Sequence, residues 1–183
     1  MFEFITNSLS SRDQFTKKTP LPSSISRKQA VGLLHNHAEI IRLNPLVIDF
    51  HPTSKPAEAP EDESHWTWYE ITDKITYLPG VAQNVTYRGA FLDTPDGLHT
   101  HVYAPAGLEI RERWSVCDGS KASTSAGSGA ADSPSQDNTG LILCEDIDMT
   151  CNILLMAFVK KQLEGSHGVL TKRLLEVRDQ ADS

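Results

Sequence analysis

A chain of 183 residues, 39% hydrophobic and 22% charged, has the composition of one soluble globular domain, long enough to bury about 70% of the surface its unfolded form exposes. Its formal net charge of -7 argues against a polyanionic partner, and no basic stretch interleaved with aromatics offers a nucleic-acid platform. Nothing approaches the ~20 consecutive apolar residues of a membrane helix, and the opening MFEFITNSLSSRDQF lacks the basic and apolar regions of a signal peptide, so no integral membrane association and a cytoplasmic location are expected.

Residues 1–14 read as a flexible N-terminus, and 16–22 (TKKTPLP) as a short extended piece ending in a turn. Ser26 followed by Gln29 is a capping-box pattern, and Ala30, Val31, Leu33, Leu34, Ile40 and Ile41 recur at helical spacing. Gly32 and the polar run His35-Asn36-His37 interrupt that spacing, so two short helices are expected before Asn44-Pro45 ends the segment. LVIDF (46–50) reads as a strand, and HPTSKPAEAPEDES (51–64) as a surface loop rich in Pro and acid.

Residues 65–78 alternate, with Tyr69, Ile71, Ile75 and Tyr77 on one face; 84–93 alternate again, with Val85, Tyr87, Gly89 and Phe91 on one face. The turn Thr94-Pro95-Asp96-Gly97 leads into GLHTHVYAPAGLEIRERWSV (97–116), a hairpin around Ala104-Pro105-Ala106-Gly107. Residues 119–140 are low-complexity Gly/Ser/Ala sequence and read as a flexible insertion between paired strands, at little entropic cost. LILCEDIDMTCN (141–152) is the last strand. A long amphipathic helix follows, with Leu155, Phe158, Val159, Leu163, Leu170, Leu174 and Val177 on one stripe and Gly165 and Gly168 suggesting a kink. Cys117, Cys144 and Cys151 form an odd set without C-x-x-C spacing and are expected to be reduced thiols.

These elements imply an α+β fold, a curved antiparallel sheet of about six to seven strands wrapped around a long C-terminal helix. The domain is expected to span 15–178, with a short tail at 179–183. Such a sheet leaves room for a small molecule between its concave face and the helix.

The stretches TPLPSSISRKQAVGLLHNH with LNPL, WYEITDKITYLPG, THVYAPAGLEIRERW and EDIDMTCNILLMAFVKK with HGVL carry a resemblance. In them the chain resembles an uncharacterised fungal family of the START-like (SRPBCC) helix-grip superfamily, which includes pollen-allergen-like proteins and polyketide cyclases. The resemblance implies the helix-grip fold and ligand-binding character, and it transfers no catalytic residue.

The polar positions inside apolar faces carry whatever chemistry there is. Glu112 stands among Leu108, Ile110, Trp114 and Val116, and Glu145 among Leu141, Leu143, Ile147 and Met149. A buried carboxylate must find a partner or take up a proton. If the hairpin loop has an even number of residues, His99, His101 and Tyr103 share the face of Glu112; if it is odd, Leu98, Thr100 and Val102 do, and both histidines turn outward. Glu112 faces inward in either register.

Two functional expectations follow. In the first, a hydrophobic small molecule (a lipid, a sterol or a polyketide-like metabolite) is bound in the cavity. Its wall would include Tyr69, Tyr87, Tyr103, Trp114, Leu163 and Leu170, its polar anchor would be Glu112 with His101, and His99, Glu145 and His167 would also take part in ligand binding. In the second, His101 and Glu112 exchange protons with the ligand as an acid–base pair, in a cofactor-free cyclase or dehydratase of fungal secondary metabolism. A structural network tying sheet to helix competes with both. A metal site on His99, His101 and Glu112 is the weaker reading, because H-x-H alone is common and no cysteine pair supports it; no metal and no cofactor are expected. The sequence leaves the oligomeric state open.

Overall fold

The computed structural model describes residues 10–78, 81–119, 140–153, 156–161 and 169. Its frame is one seven-stranded antiparallel sheet in the order β1-β7-β6-β5-β4-β3-β2. The strands are β1 (Ser10–Pro20), β2 (Val47–Thr53), β3 (Thr67–Leu78), β4 (Val81–Thr94), β5 (Gly97–Ala104), β6 (Leu108–Asp118) and β7 (Leu141–Asn152). Strands β2 to β7 form a continuous meander, and β1 closes the far edge against β7, with Ser10 opposite Asn152 and Pro20 opposite Ile142. β1 therefore begins at Ser10, inside the segment expected to be a flexible terminus.

Getting from β1 at one edge to β2 at the other takes two short helices, α1 (Arg27–Leu34) and α2 (His37–Ile41). The Ser26–Gln29 capping box is present, each side chain bonding the other's backbone N–H. The break between the helices comes at His35-Asn36 rather than at Gly32, which sits inside α1. Asn36 ends one helix and caps the next by accepting from the Glu39 N–H. Ala30, Val31, Leu33, Leu34, Ile40 and Ile41 are buried and pack with Leu98, Trp114, Val116 and Leu143 from one face of the sheet, the inner face.

Two histidines pin the helices to the sheet. His35 Nε2 lies 3.1 Å from the Thr94 carbonyl and 3.0 Å from that of Gly97, and His37 Nε2 lies 2.9 Å from Asp93 Oδ1.

The β5–β6 connection is a three-residue turn, Pro105–Gly107, with Ala106 at φ 62° and Gly107 at φ 71°. An odd loop sets the register: Leu98 pairs with Trp114, Thr100 with Glu112, Val102 with Ile110, and His101 with Arg111. At the other end of the hairpin β5 approaches β6 so closely that a Cβ on Gly97 would lie 1.8 Å from the Trp114 carbonyl oxygen. Only glycine fits there.

The insertion after β6 is closed by its own strands. Asp118 pairs with Leu141, and the Gly119 N–H bonds the Gly140 carbonyl at 2.8 Å. Residues 120–139 themselves lie outside the described part. After β7 the chain is helical at 153, 156–161 and 169, with Val159 buried against Ile110, Ile147 and Met149 on the inner face. The long C-terminal helix otherwise falls outside the described residues, as do Leu155, Leu163, Gly165, His167, Gly168, Leu170, Leu174 and Val177. Among the described residues no helix is long and apolar enough to cross a membrane.

Candidate functional site

Strand alternation brings the inward side chains of β3 to β7 to one concave wall. Against it stand α2, the turn after it, and Phe158 with Val159. Between them lies a cavity of about 200 Å³. Its wall is mostly aliphatic and aromatic, with Ile40, Ile71, Phe91, Val102, Ile110 and Trp114 among the lining side chains. Two polar poles interrupt this wall.

The first pole is Glu112 on β6 with Glu145 on β7. Trp114 pairs with Glu145 and Glu112 with Ile147, so the two carboxyls are diagonal neighbours on one face. Glu145 is 1% exposed. Glu112 keeps part of its surface, which opens on the cavity. The Thr100 hydroxyl donates to Glu112 Oε2 at 3.0 Å. Burial and then the charge of Glu145 push the Glu112 carboxyl up to about 7; the Thr100 hydrogen bond, the Trp114 indole and the charge of Lys17 pull the other way without winning. Lys17 stands across the β1–β7 ladder from Glu145, and its ammonium is buried without a hydrogen-bond partner among the described residues.

The second pole was not anticipated. Asp73 is 7% exposed on β3 and accepts from Asn44 Nδ2 at 2.8 Å and from the Tyr87 hydroxyl at 3.2 Å. Burial raises the Asp73 carboxyl above its ordinary range despite both donors, and burial with the charge of Asp73 raises the Tyr87 phenol. The signal was present in the sequence: Asp73 sits between Ile71 and Ile75 in a clean alternation, the same anomaly that marked Glu112 and Glu145. Asn44, a helix stop in the sequence pattern, gives no sign of this contact.

The structure separates the residues expected to act together. Because the hairpin loop is odd, His99, His101 and Tyr103 lie on the outer face, opposite Glu112, so the expected His101–Glu112 acid–base pair does not form, nor does a His99–His101–Glu112 metal set. His101 is nonetheless only 1% exposed. Of the segment 51–64, expected to run over the surface as a loop, residues 51–53 complete β2 and the rest folds onto the outer face and covers His101. His101 Nδ1 lies 2.5 Å from Glu63 Oε1 and Nε2 lies 2.8 Å from Glu109 Oε1. The Tyr103 hydroxyl donates to Glu63 Oε2 at 2.9 Å, and its ring stacks on Trp68, whose indole N–H donates to the Glu63 carbonyl. That is a latch for the loop. His99, partly buried and opposite Arg113, borders a polar groove on the same face, and burial with the Arg113 charge lowers its pKa.

Of the other expected residues, Tyr87, Trp114 and Glu145 line the cavity. Tyr69 is on the inner face but packs among Phe50, Phe91 and His37 in the core beside the cavity, with its hydroxyl 3.4 Å from His37 Nδ1. Leu163, His167 and Leu170 lie outside the described residues. The three cysteines are free, and burial and contact with Cys117 raise the Cys144 thiol to about 11. Among the described residues no group of three or more His, Cys, Asp and Glu side chains is arranged to hold a metal.

The fold is shared by solved structures of low identity. Ara h 8.0201 superposes with a TM-score of 0.54 at 9% identity, over 91% of this chain and 99% of that one. The di-domain ARO/CYC StfQ from the steffimycin biosynthetic pathway matches with a TM-score of 0.56 at 14% identity, over 97% of this chain and 54% of its own, so this chain spans about half of it. A norcoclaurine synthase point mutant from Thalictrum flavum, in complex with a transition-state analogue, matches at 0.51 and 10% identity, over 91% and 96% of the two chains. These likenesses show that the curved antiparallel sheet with its short helices is a shared fold, and nothing about chemistry. No curated protein matches the sequence. The family model that does match, a domain of unknown function (DUF7053), covers residues 10–180, and the chain belongs to that family.

Proposed function

We propose that the protein binds a hydrophobic small molecule in the cavity between the inner face of the sheet and its helices, as a cytoplasmic, cofactor-free binding module. The observation that carries this is the cavity itself: about 200 Å³ of mostly apolar wall into which buried carboxyls converge from β3, β6 and β7. Ligand pockets for drug-sized molecules run at roughly 300–1,000 Å³, so the volume favours a compact aromatic metabolite over a lipid or sterol. Native mass spectrometry of freshly purified protein, compared with its denatured mass, tests it. An adduct of one to a few hundred daltons is expected; a bare mass with no response to a panel of small aromatic ligands overturns the reading.

One observation favours a second reading, a cyclase- or dehydratase-type enzyme of fungal secondary metabolism. Glu112 sits near its midpoint at neutral pH beside a second carboxyl, the condition for a group that both gives and takes a proton. On this reading Glu112 with Glu145 replaces the His101–Glu112 pair. Turnover of a bound ligand that falls by about a hundredfold in Glu112→Gln, with binding retained, would select the enzyme over the carrier.

A further inference from the structure

The charged side chains that line the cavity, among the described residues, all have one sign, with the buried Lys17 ammonium standing behind them across the ladder from Glu145. Glu112, Glu145 and Asp73 bring three carboxyls to its wall, and among the described lining residues there is no Lys, Arg or His. Lys17 acts on Glu112 from β1 but does not line the cavity. Among the described residues, four aromatic side chains stand in the otherwise mostly aliphatic wall: Phe91 and Trp114 from the sheet, Tyr87 at the Asp73 pole, and Phe158 from the helix.

An anionic ligand in this space would add like charge to groups already crowded by burial. A cation would meet carboxylates and ring faces, the two features that hold ammonium groups in apolar sites. We propose that the ligand of this cavity is a small aromatic amine, held as an ammonium at the Glu112–Glu145 pole with its ring against Trp114 and Phe91. This rests on the cavity-binding reading above and specifies its ligand class.

The proton balance follows from the same groups. Glu112 is faced by Glu145 from β7, Thr100 from β5, Trp114 on its own strand and Lys17 from β1. With its carboxyl near 7, Glu112 is largely neutral at pH 5.5 and ionised at pH 8. An ammonium ligand then binds better at pH 8 and releases a proton from Glu112 on binding at neutral pH. A neutral ligand of the same shape has no such dependence.

The experiment is calorimetric titration of the full chain with three probes of one shape: 2-phenylethylamine, 2-phenylethanol and 3-phenylpropanoate. At pH 8 the amine is expected to bind about tenfold more tightly than the alcohol, and the carboxylate more weakly than either. At pH 5.5 the amine's advantage shrinks while the alcohol's affinity stays constant. Glu112→Gln reduces the amine to the level of the alcohol without changing the alcohol. Asp73→Asn, altering the other pole, leaves most of the preference in place.

If the alcohol binds and the amine does no better, or the carboxylate does as well, the ligand class is wrong and the cavity reading survives. If the amine's preference persists in Glu112→Gln, the Glu112–Glu145 pole is not its site. If none of the three binds, this inference falls together with the reading beneath it.

Discussion

On the outer face of the β5–β6 hairpin, His101 has a carboxylate at each ring nitrogen, a tyrosine hydroxyl at 2.7 Å and a loop folded over it. On the inner face, one step along β6 from the residue opposite His101, Glu112 has a threonine hydroxyl, the Trp114 indole and the Lys17 charge on its side, a second carboxyl nearby, and an open cavity in front of it. Both are titratable groups inside the fold. The outer one is saturated with partners, which is what a structural network requires. The inner one is left with capacity to spare, which is what a ligand requires. Burial alone does not distinguish the two roles; the unfilled coordination of the polar atom does.

That contrast can be broken most forcefully at His101. Replacing it with Phe strands Glu63, 5% exposed, without its imidazole partner, and should cost about 3 kcal/mol in urea unfolding while leaving ligand binding by the folded protein unchanged. A loss of binding with intact stability would mean that the outer network is the functional one.

Glu112→Gln should act in the opposite direction on stability. The folded-state pKa of Glu112 lies above its unfolded value of 4.5, so the folded form binds this proton more tightly and stability falls as pH rises from about 4.5 to about 7. The glutamine variant should lack that slope and be more stable than the parent at pH 8, by about 3 kcal/mol. Thermal melts of both proteins between pH 5 and 8 read this directly; parallel curves would show that Glu112 is fully compensated after all.

Val102→Phe fills cavity space from the floor of β5. Ligand affinity should fall by about tenfold or more with stability held to within about 1.5 kcal/mol, since the added ring enters empty volume. An equal loss of stability and binding would indicate a packed wall rather than a cavity. The smallest effect is expected at Ala106, whose φ of 62° is costly for any residue with a Cβ: Ala106→Gly should stabilise by about 0.5 kcal/mol and fix the odd hairpin turn more firmly.

The architecture was legible because its signals are periodic. Alternation in β3 to β7, the Ser26–Gln29 box and the Asn44-Pro45 stop each act within a few residues. The inward direction of Glu112 and Glu145 followed from the same alternation. What the sequence left open was the parity of one turn, and on that parity hung the side of the sheet for His99, His101 and Tyr103. An Ala at positive φ is what made the turn odd, and alanine gives no warning of it. Glu63 was illegible for a different reason. It lies in a loop without periodicity, and its burial comes with contacts to Trp68, His101 and Tyr103, residues brought together only by the folded sheet.

The pairing of β1 with β7 has a kinetic consequence. Arg12 bonds Asp148, 136 positions away along the chain, whereas every other ladder joins neighbours in the meander. On a ribosome β1 emerges first and finds its partner last, after six strands have been made. Until then the β7 edge of the sheet is an open row of N–H and C=O groups, beside the wall that carries Glu145 and Ile147. Long-range closures of this kind slow folding and expose a template for intermolecular pairing. Lys17 and Lys18 on β1 are therefore well placed: a strand that must wait unpaired is kept from self-association by its own charge.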